Sequence, residues 1–418
     1  MRVLWFSNKI LSDTDTGSTG TWLGAMAQAL VASGQVELCN ISTGAVPAPV
    51  RQDAGPIRQW IVPAARLGRD GLPPGTIVAG IIEAVKDLAA DLVHIWGTEN
   101  YWGLLTARGL LQTPALLEIQ GLKEPYARVF AGGLRAREQL ACIGLKEIIK
   151  HRSIASGRKA FEQWSRFERE ILAGHKFITT QAPWVKAWVQ ARSASARLFH
   201  TELMLRAAFY DAQPWRPATA PVIFCSAAYP VPYKGIHDAV RAMALLKRRF
   251  PQVRLRIAGA LQARGMRLEG YMAWVNRLAA ALHLTEQIDW LGPLSATEIV
   301  KELQGCACML MPSHCETYCV ALAEALYLGV PSVSTYTGGT SWLARDEASA
   351  VFFAPGDEVM CAFQLGRVLT DQDLAGRLSK KARAEALVRN NPDTVVHTQL
   401  SIYQQVLAAG AGGTISGM

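Results

Sequence analysis

The segment Pro312-Ser313-His314-Cys315-Glu316-Thr317-Tyr318-Cys319-Val320-Ala321-Leu322-Ala323-Glu324-Ala325-Leu326-Tyr327-Leu328-Gly329-Val330-Pro331 carries the clearest structural pattern in the chain. The apolar run Ala307 to Met311 precedes it, and Val330 to Ser334 overlaps its end. Both runs read as short buried strands, and the residues between them from about Tyr318 to Leu328 read as a helix. Gly329 stands where that helix must stop, since glycine enters the left-handed region without steric penalty. Strand, helix and strand in this order make a parallel βαβ unit. Glu316 then lies at the carboxyl end of a strand, where open α/β sheets collect their ligands.

The same alternation extends in both directions. In the first half, residues 3–6, 36–41, 91–97, 115–119 and 176–180 read as strands, with a helix at 22–32 closed by Gly34. In the second half, strands are expected at 222–225, 253–259, 288–291 and 351–353, with helices at 236–250, 270–282, 296–304, 357–389 and 394–408. Residues 213–221 hold three prolines, which fit neither a helix nor a central strand. The boundary is therefore expected there, giving domains 1–212 and 213–392. Residues 393–418 are expected to form a helix packing back on the first domain, followed by a mobile Gly-rich tail.

Bulk composition is consistent with two packed cores. The chain has 418 residues, half of them hydrophobic and 18% charged, which excludes intrinsic disorder. The formal net charge of +9 points to an anionic partner, and charge alone does not rank nucleotide, phospholipid surface and nucleic acid. No recognised nucleic-acid motif accompanies it. The eight cysteines sit mostly in apolar runs without a C-x-x-C pair, as reduced core cysteines do. No apolar run reaches the ~18 residues of a membrane span, so a cytoplasmic protein is expected.

Certain residue types here suit one chemistry. The backbone N–H groups of Thr317, Tyr318 and Cys319, at the expected helix start, can cradle a diphosphate. Glu316 and Glu324 can accept hydrogen bonds from sugar and ribose hydroxyls. The spacing Glu316, seven residues, Glu324, then Ala325, Gly329 and Pro331 resembles the E-x7-E signature of the family-4 retaining glycosyltransferases. Lys234-Gly235 resembles the family's K-G, and Leu255 to Gly259 and Ile288 to Gly292 its strands that end in glycine. Gly338-Gly339 resembles the Gly pair beyond the second Glu, Gly17-Ser18-Thr19-Gly20 the acceptor-domain loop, and Asp91 to His94 a D-v-v-H strand.

The resemblance implies the GT-B fold: two Rossmann-like doubly wound parallel-sheet domains facing a central cleft. It implies transfer of a sugar from a nucleotide-sugar donor, most readily a UDP- or GDP-sugar, to a glycan, glycolipid or small-molecule hydroxyl, with retention and without a metal. Glu316 would contact the donor sugar, Glu324 the ribose, and Lys234 with Gly235 the diphosphate. Thr317, Tyr318 and Cys319 would line the donor site, and Gly17 to Gly20 with Gln120 the acceptor side. The sequence departs from the family where Ser226-Ala227-Ala228 replaces a Gly-Arg pair and where Gln120 replaces a histidine. Thr317, Tyr318 and Cys319 also stand where the family has Gly, Phe and Gly. These departures keep a second reading in view, a catalytically silent relative that binds nucleotide or sugar as a partner subunit.

Other groups have two readings each. His94 is a catalytic candidate, or a satisfied core histidine on an apolar strand. Cys306, Cys308, His314, Cys315 and Cys319 suggest zinc, but the first two fall at the opposite end of a strand from the rest, too far to converge on one ion. Residues 121–170 hold eleven Lys and Arg against six Glu, a net of +5, interleaved with Phe161, Trp164 and Phe167. They read either as a face for an anionic membrane bearing a lipid-linked acceptor, peripheral on its inner side, or as a solvated helix with aromatics turned inward. A Rossmann oxidoreductase is disfavoured, because neither half opens with G-x-G-x-x-G after its first strand.

Overall fold

The computed structural model describes residues 1–12, 22–227, 229–259 and 270–411. They form two compact α/β units: residues 1–123, 163–206 and 390 onward in the first, and 124–162 with 207–389 in the second. Each unit is built on one predominantly parallel sheet.

The first sheet contains β1 (Arg2–Phe6), β2 (Glu37–Gly44), β3 (Val50–Arg51), β4 (Arg58–Pro63), β5 (Leu92–Trp96), β6 (Ala115–Glu118), β7 (Phe177–Thr180) and β8 (Arg197–His200). Their order across the sheet is β3-β4-β2-β1-β5-β6-β7-β8, and only the β3–β4 pair is antiparallel. Alternation along β1 sends Leu4 and Phe6 into a core with Ile41, Val93, Ile95 and Leu117 on one face. Trp5 points to the other face, where its indole packs edge-on against Trp96 and donates to the Tyr403 hydroxyl at 3.1 Å. Tyr403 lies on the terminal helix Pro392–Ala411, which packs with the helix Trp22–Ala32.

The second sheet contains β9 (Val222–Ser226), β10 (Arg254–Ala258), β11 (Ile288–Gly292), β12 (Cys308–Met311), β13 (Ser332–Thr335) and β14 (Val351–Phe353). Its order is β11-β10-β9-β12-β13-β14, all parallel. This is the doubly wound Rossmann order, which reverses direction between β9 and β12. The helix Val320–Leu328 is apolar apart from Glu324, and it is buried between the sheet and the helix Gln372–Arg389. It ends at Gly329 with φ 82°, as the glycine stop requires.

Two features differ from the sequence-based expectation. The main segment of the second unit begins at residue 207, six residues before the proline-rich stretch 213–221, and residues 124–162 also belong to that unit. The cause is packing, since Leu134 and Cys142 are buried in the second unit's core. The Gly-rich tail beyond residue 411 lies outside the described residues.

The Tyr403 hydroxyl accepts from Trp5 and lies 2.7 Å from His94 Nδ1, so it joins three buried side chains. Tyr403→Phe strands two of those polar groups, and chemical denaturation is expected to show a loss of about 1–3 kcal/mol. Unchanged stability would mean that water replaces the hydroxyl.

Candidate functional site

In the second unit, Lys234 follows β9 and Glu316 follows β12, the two strands that flank the reversal of strand order. A crevice opens at such a point because the adjacent connections leave to opposite faces of the sheet. Across it the Lys234 ammonium donates to Glu316 Oε1 at 2.6 Å. Both side chains are largely buried, with 19% and 9% of their surface exposed. Burial alone would lower the lysine pKa, but the Glu316 carboxylate outweighs it and holds the ammonium well above its ordinary value.

Three glycines make this geometry possible. Gly235 has φ 67°, and a Cβ there would lie 2.0 Å from the Pro312 carbonyl oxygen. The 232–235 turn therefore docks directly on the loop that carries Glu316, and His314 N donates to the Tyr233 carbonyl at 2.7 Å. On the other side, a Cβ at Gly338 would fall 1.9 Å from the Glu316 carbonyl oxygen, and one at Gly339 2.1 Å from that of Thr317. Gly339 N donates to the Glu316 carbonyl at 2.9 Å. The paired glycines thus hold the backbone beneath Glu316 at a distance that no larger residue permits.

The helix begins at Val320, two residues later than expected. Cys319 caps it in the left-handed region with φ 78°, and the Thr317 N–H is already donated to the Tyr126 hydroxyl at 3.2 Å. The first turn, whose N–H groups lack intrahelical acceptors, is therefore Val320 to Leu322 rather than Thr317 to Cys319. Thr317, Tyr318 and Cys319 are buried beside it. Glu324 is also buried, and its charge contributes to the raised pKa of the Cys319 thiol after the larger effects of burial and Glu316. Burial likewise pushes the Cys315 thiol up to about 12, so both thiols are neutral.

Tyr126 was not anticipated from sequence, because it sits in the basic stretch read as either a membrane face or a solvated helix. Its ring packs edge-on to Tyr233 at 5.1 Å, and Phe130 and Phe161 complete the aromatic cluster around the turn that presents Lys234. Nearby, His237, Asp238 and His314 bring ligand-type atoms within 4.8 Å of one another. His237 Nε2 faces the Gly132 carbonyl at 2.8 Å and so carries the proton, while Nδ1 accepts from the Tyr271 hydroxyl at 2.9 Å. No lone pair remains on that imidazole for a cation, and the cluster works as a hydrogen-bond network tying residue 132 to the helix Ile236–Leu246.

In the first unit, the strand order reverses between β1 and β5. The loop after β1, with Gly17, Ser18, Thr19 and Gly20, lies outside the described residues. His94 points away from the end of β5 into the core. It is fully buried, stacks near Trp96 at 4.0 Å and has Glu118 Oε2 3.3 Å from Nε2. Burial lowers its pKa despite Glu118, leaving a neutral core imidazole with no exposed atom for a ligand. His94 is thus enclosed among the buried side chains of the first unit.

Beyond the ends of β5 and β6, the side chains of Glu99 and Gln120 both reach over Gly97. Neither Glu99 Oε2 nor Gln120 Nε2 meets a hydrogen-bond partner among the described residues. Burial pushes the Glu99 carboxyl up to about 7, against the opposing pull of Lys123. Glu99 was missed in the sequence, although an acid two residues past a strand-ending glycine is a usable signal.

The direction of the resulting pH effect follows from linkage. An unfolded Glu99 ionises near its ordinary 4.5, whereas the folded one keeps its proton to about 7. The folded state thus binds the extra proton, and stability falls as pH rises through that window. Glu99→Gln is expected to gain roughly 2 kcal/mol over the parent at about pH 8, and little at about pH 4. An equal difference at both pH values in thermal unfolding would contradict this.

Comparison with known proteins agrees with this architecture. Residues 211–385 match the family model described as Glycosyl transferases group 1. A D-inositol 3-phosphate glycosyltransferase of Salinispora tropica is 30% identical over 183 residues, which are 42% of this chain and 37% of that protein. The glycogen synthase of Mycobacterium tuberculosis is 28% identical over 208 residues, 48% of this chain and 47% of the synthase. These matches span less than half the length of either relative. Among solved structures, sucrose-phosphate synthase from Thermosynechococcus elongatus superposes with a TM-score of 0.71 at 16% identity, covering 98% of this chain and 99% of that one. Anabaena HepE, in complex with UDP and glucose, gives a TM-score of 0.68 at 16% identity and covers 97% and 100%. Residues 211–385 thus resemble the glycosyl transferases group 1 family, and the chain has the GT-B fold.

Proposed function

We propose that this protein is a glycosyltransferase that moves a sugar from a nucleotide-sugar donor to an acceptor hydroxyl with retention of anomeric configuration. The observation that carries the reading is the Lys234–Glu316 pair at the strand-order reversal of the second unit, beside the first turn of the helix Val320–Leu328. A donor diphosphate entering there is the natural competitor for the Lys234 ammonium, because phosphate oxygens form charge-assisted hydrogen bonds as strong as those of the carboxylate. Glu316, released from the lysine, then accepts hydrogen bonds from the hydroxyls of the donor sugar, and Glu324 from the ribose. Thr317, Tyr318 and Cys319 shape the wall between them.

In the reaction, the acceptor oxygen bonds to the anomeric carbon on the face from which the diphosphate departs. The bond from that carbon to the phosphate oxygen breaks, and the leaving diphosphate takes the acceptor proton. No strong enzymic base is needed, so catalysis rests on positioning and on positive charge at the departing diphosphate. Lys234 and the helix turn supply that charge without a metal. The UDP held by HepE supports a uridine nucleotide as the first donor to test, with a GDP-sugar second. The acceptor class we favour is a glycan or lipid-linked glycan, in polysaccharide or glycolipid synthesis.

With UDP- and GDP-sugars, donor hydrolysis or transfer is expected, and chelation of divalent ions should leave it unchanged. Lys234→Ala and Glu316→Ala are each expected to lower the rate by roughly 10²–10³-fold with the circular dichroism spectrum intact. Full activity in both variants, or no turnover of any donor by the parent protein, would contradict the proposal.

A further inference from the structure

The 124–162 segment presents apolar side chains to solvent at residues where the sequence reading had placed none. Phe161 packs on Phe130, while Trp164 donates to the Thr98 carbonyl at 2.7 Å and packs on Phe167. The aromatics once considered for a membrane contact therefore turn inward. The outward residues are aliphatic: Leu140, Ile143, Leu145, Ile148 and Ile149, with exposures of 68%, 40%, 76%, 60% and 76%. Five large aliphatic groups within ten residues form an unusual surface, since isolated exposed residues are ordinary and contiguous ones are not.

The surrounding charge is one-sided. Arg135, Arg137, Lys146, Lys150 and Arg152 lie in the same stretch, with only Glu138 and Glu147 opposing them. Both acids are engaged locally. Glu138 accepts from Arg241 at 2.7 Å, and Glu147 accepts from the N–H groups of Gly144 and Gly270 at 3.0 and 2.9 Å. The segment is anchored from beneath, where Cys142 is buried in the core and Arg277 donates to the Ala141 carbonyl at 2.7 Å. A cavity of about 220 Å³ opens beside it, lined by Lys146, Lys150, Arg152, Ser153 and Ser156 among others.

We propose that residues 140–152 dock the protein on an anionic lipid bilayer. The aliphatic side chains would enter the boundary between headgroups and acyl chains, and the lysines and arginines would meet lipid phosphates at the rim and in the cavity. Aliphatic groups with a basic rim suit an anionic bilayer, because each half of the surface matches one layer of it. A protein partner of neutral or basic surface would leave the positive rim uncompensated. The proposal does not depend on the transfer chemistry proposed above.

The test is co-sedimentation of the full chain with vesicles of phosphatidylcholine alone and of phosphatidylcholine mixed with phosphatidylglycerol, in low and high salt. Binding is expected only to the mixed vesicles and should weaken with salt. The double variant Leu145→Glu, Ile149→Glu replaces two of the most exposed residues, so its thermal unfolding should match that of the parent protein. Its partitioning is expected to fall by roughly tenfold or more. Absence of binding to mixed vesicles, or binding undiminished in the double variant, would overturn the proposal. So would light scattering that shows a dimer converted to monomer by the same variant, because a second copy would then cover this face.

Discussion

A lysine ammonium and a glutamate carboxylate 2.6 Å apart, both largely withdrawn from water, constrain much of the second unit. Removing two charges from solvent is costly unless they face each other in good geometry, and removing one partner leaves the other uncompensated. The surrounding backbone supplies that geometry. Gly235 presses the lysine turn onto Pro312, while Gly338 and Gly339 press the next connection under Glu316 and Thr317. Tyr126, Phe130 and Phe161 close around Tyr233 from the 124–162 segment. On the proposed function, an entering anion takes the cation while the carboxylate turns to hydroxyl donors.

The legibility of the chain followed burial. All six strands of the second sheet were expected where they lie, β12 and β14 as apolar runs covered on both faces and β10 from Leu255 and Ile257 alternating with Arg254 and Arg256. In the first sheet, β1, β2, β5, β6 and β7 were equally evident, whereas β3, β4 and β8 were not. β3 has two exposed residues, and β8 has no buried one. β4 follows a Pro-rich stretch that reads as loop. The edges of a sheet lack the signal that its centre carries.

The candidate site was legible to a similar degree. Glu316, Glu324, Lys234 and the Gly338-Gly339 pair were singled out through the family resemblance, and the close backbone approaches give the glycines their reason. The helix start was misplaced by two residues, because Cys319 adopts a left-handed conformation that few non-glycine residues take. Tyr126 and the membership of residues 124–162 in the second unit could not be read locally. Both depend on contacts with residues more than a hundred positions away, such as the 2.8 Å approach of His237 to Gly132. His94 shows the converse, a titratable residue on a motif-like strand whose place is set by the tryptophans around it.

The most direct measurement is a crystal structure of the full chain with UDP or a non-transferable UDP-sugar bound. Lys234 Nζ is expected to leave Glu316 for the diphosphate, which should lie against the first turn at Val320 to Leu322, with Glu324 at the ribose. A nucleotide bound elsewhere, with the Lys234–Glu316 pair still closed, would contradict the account.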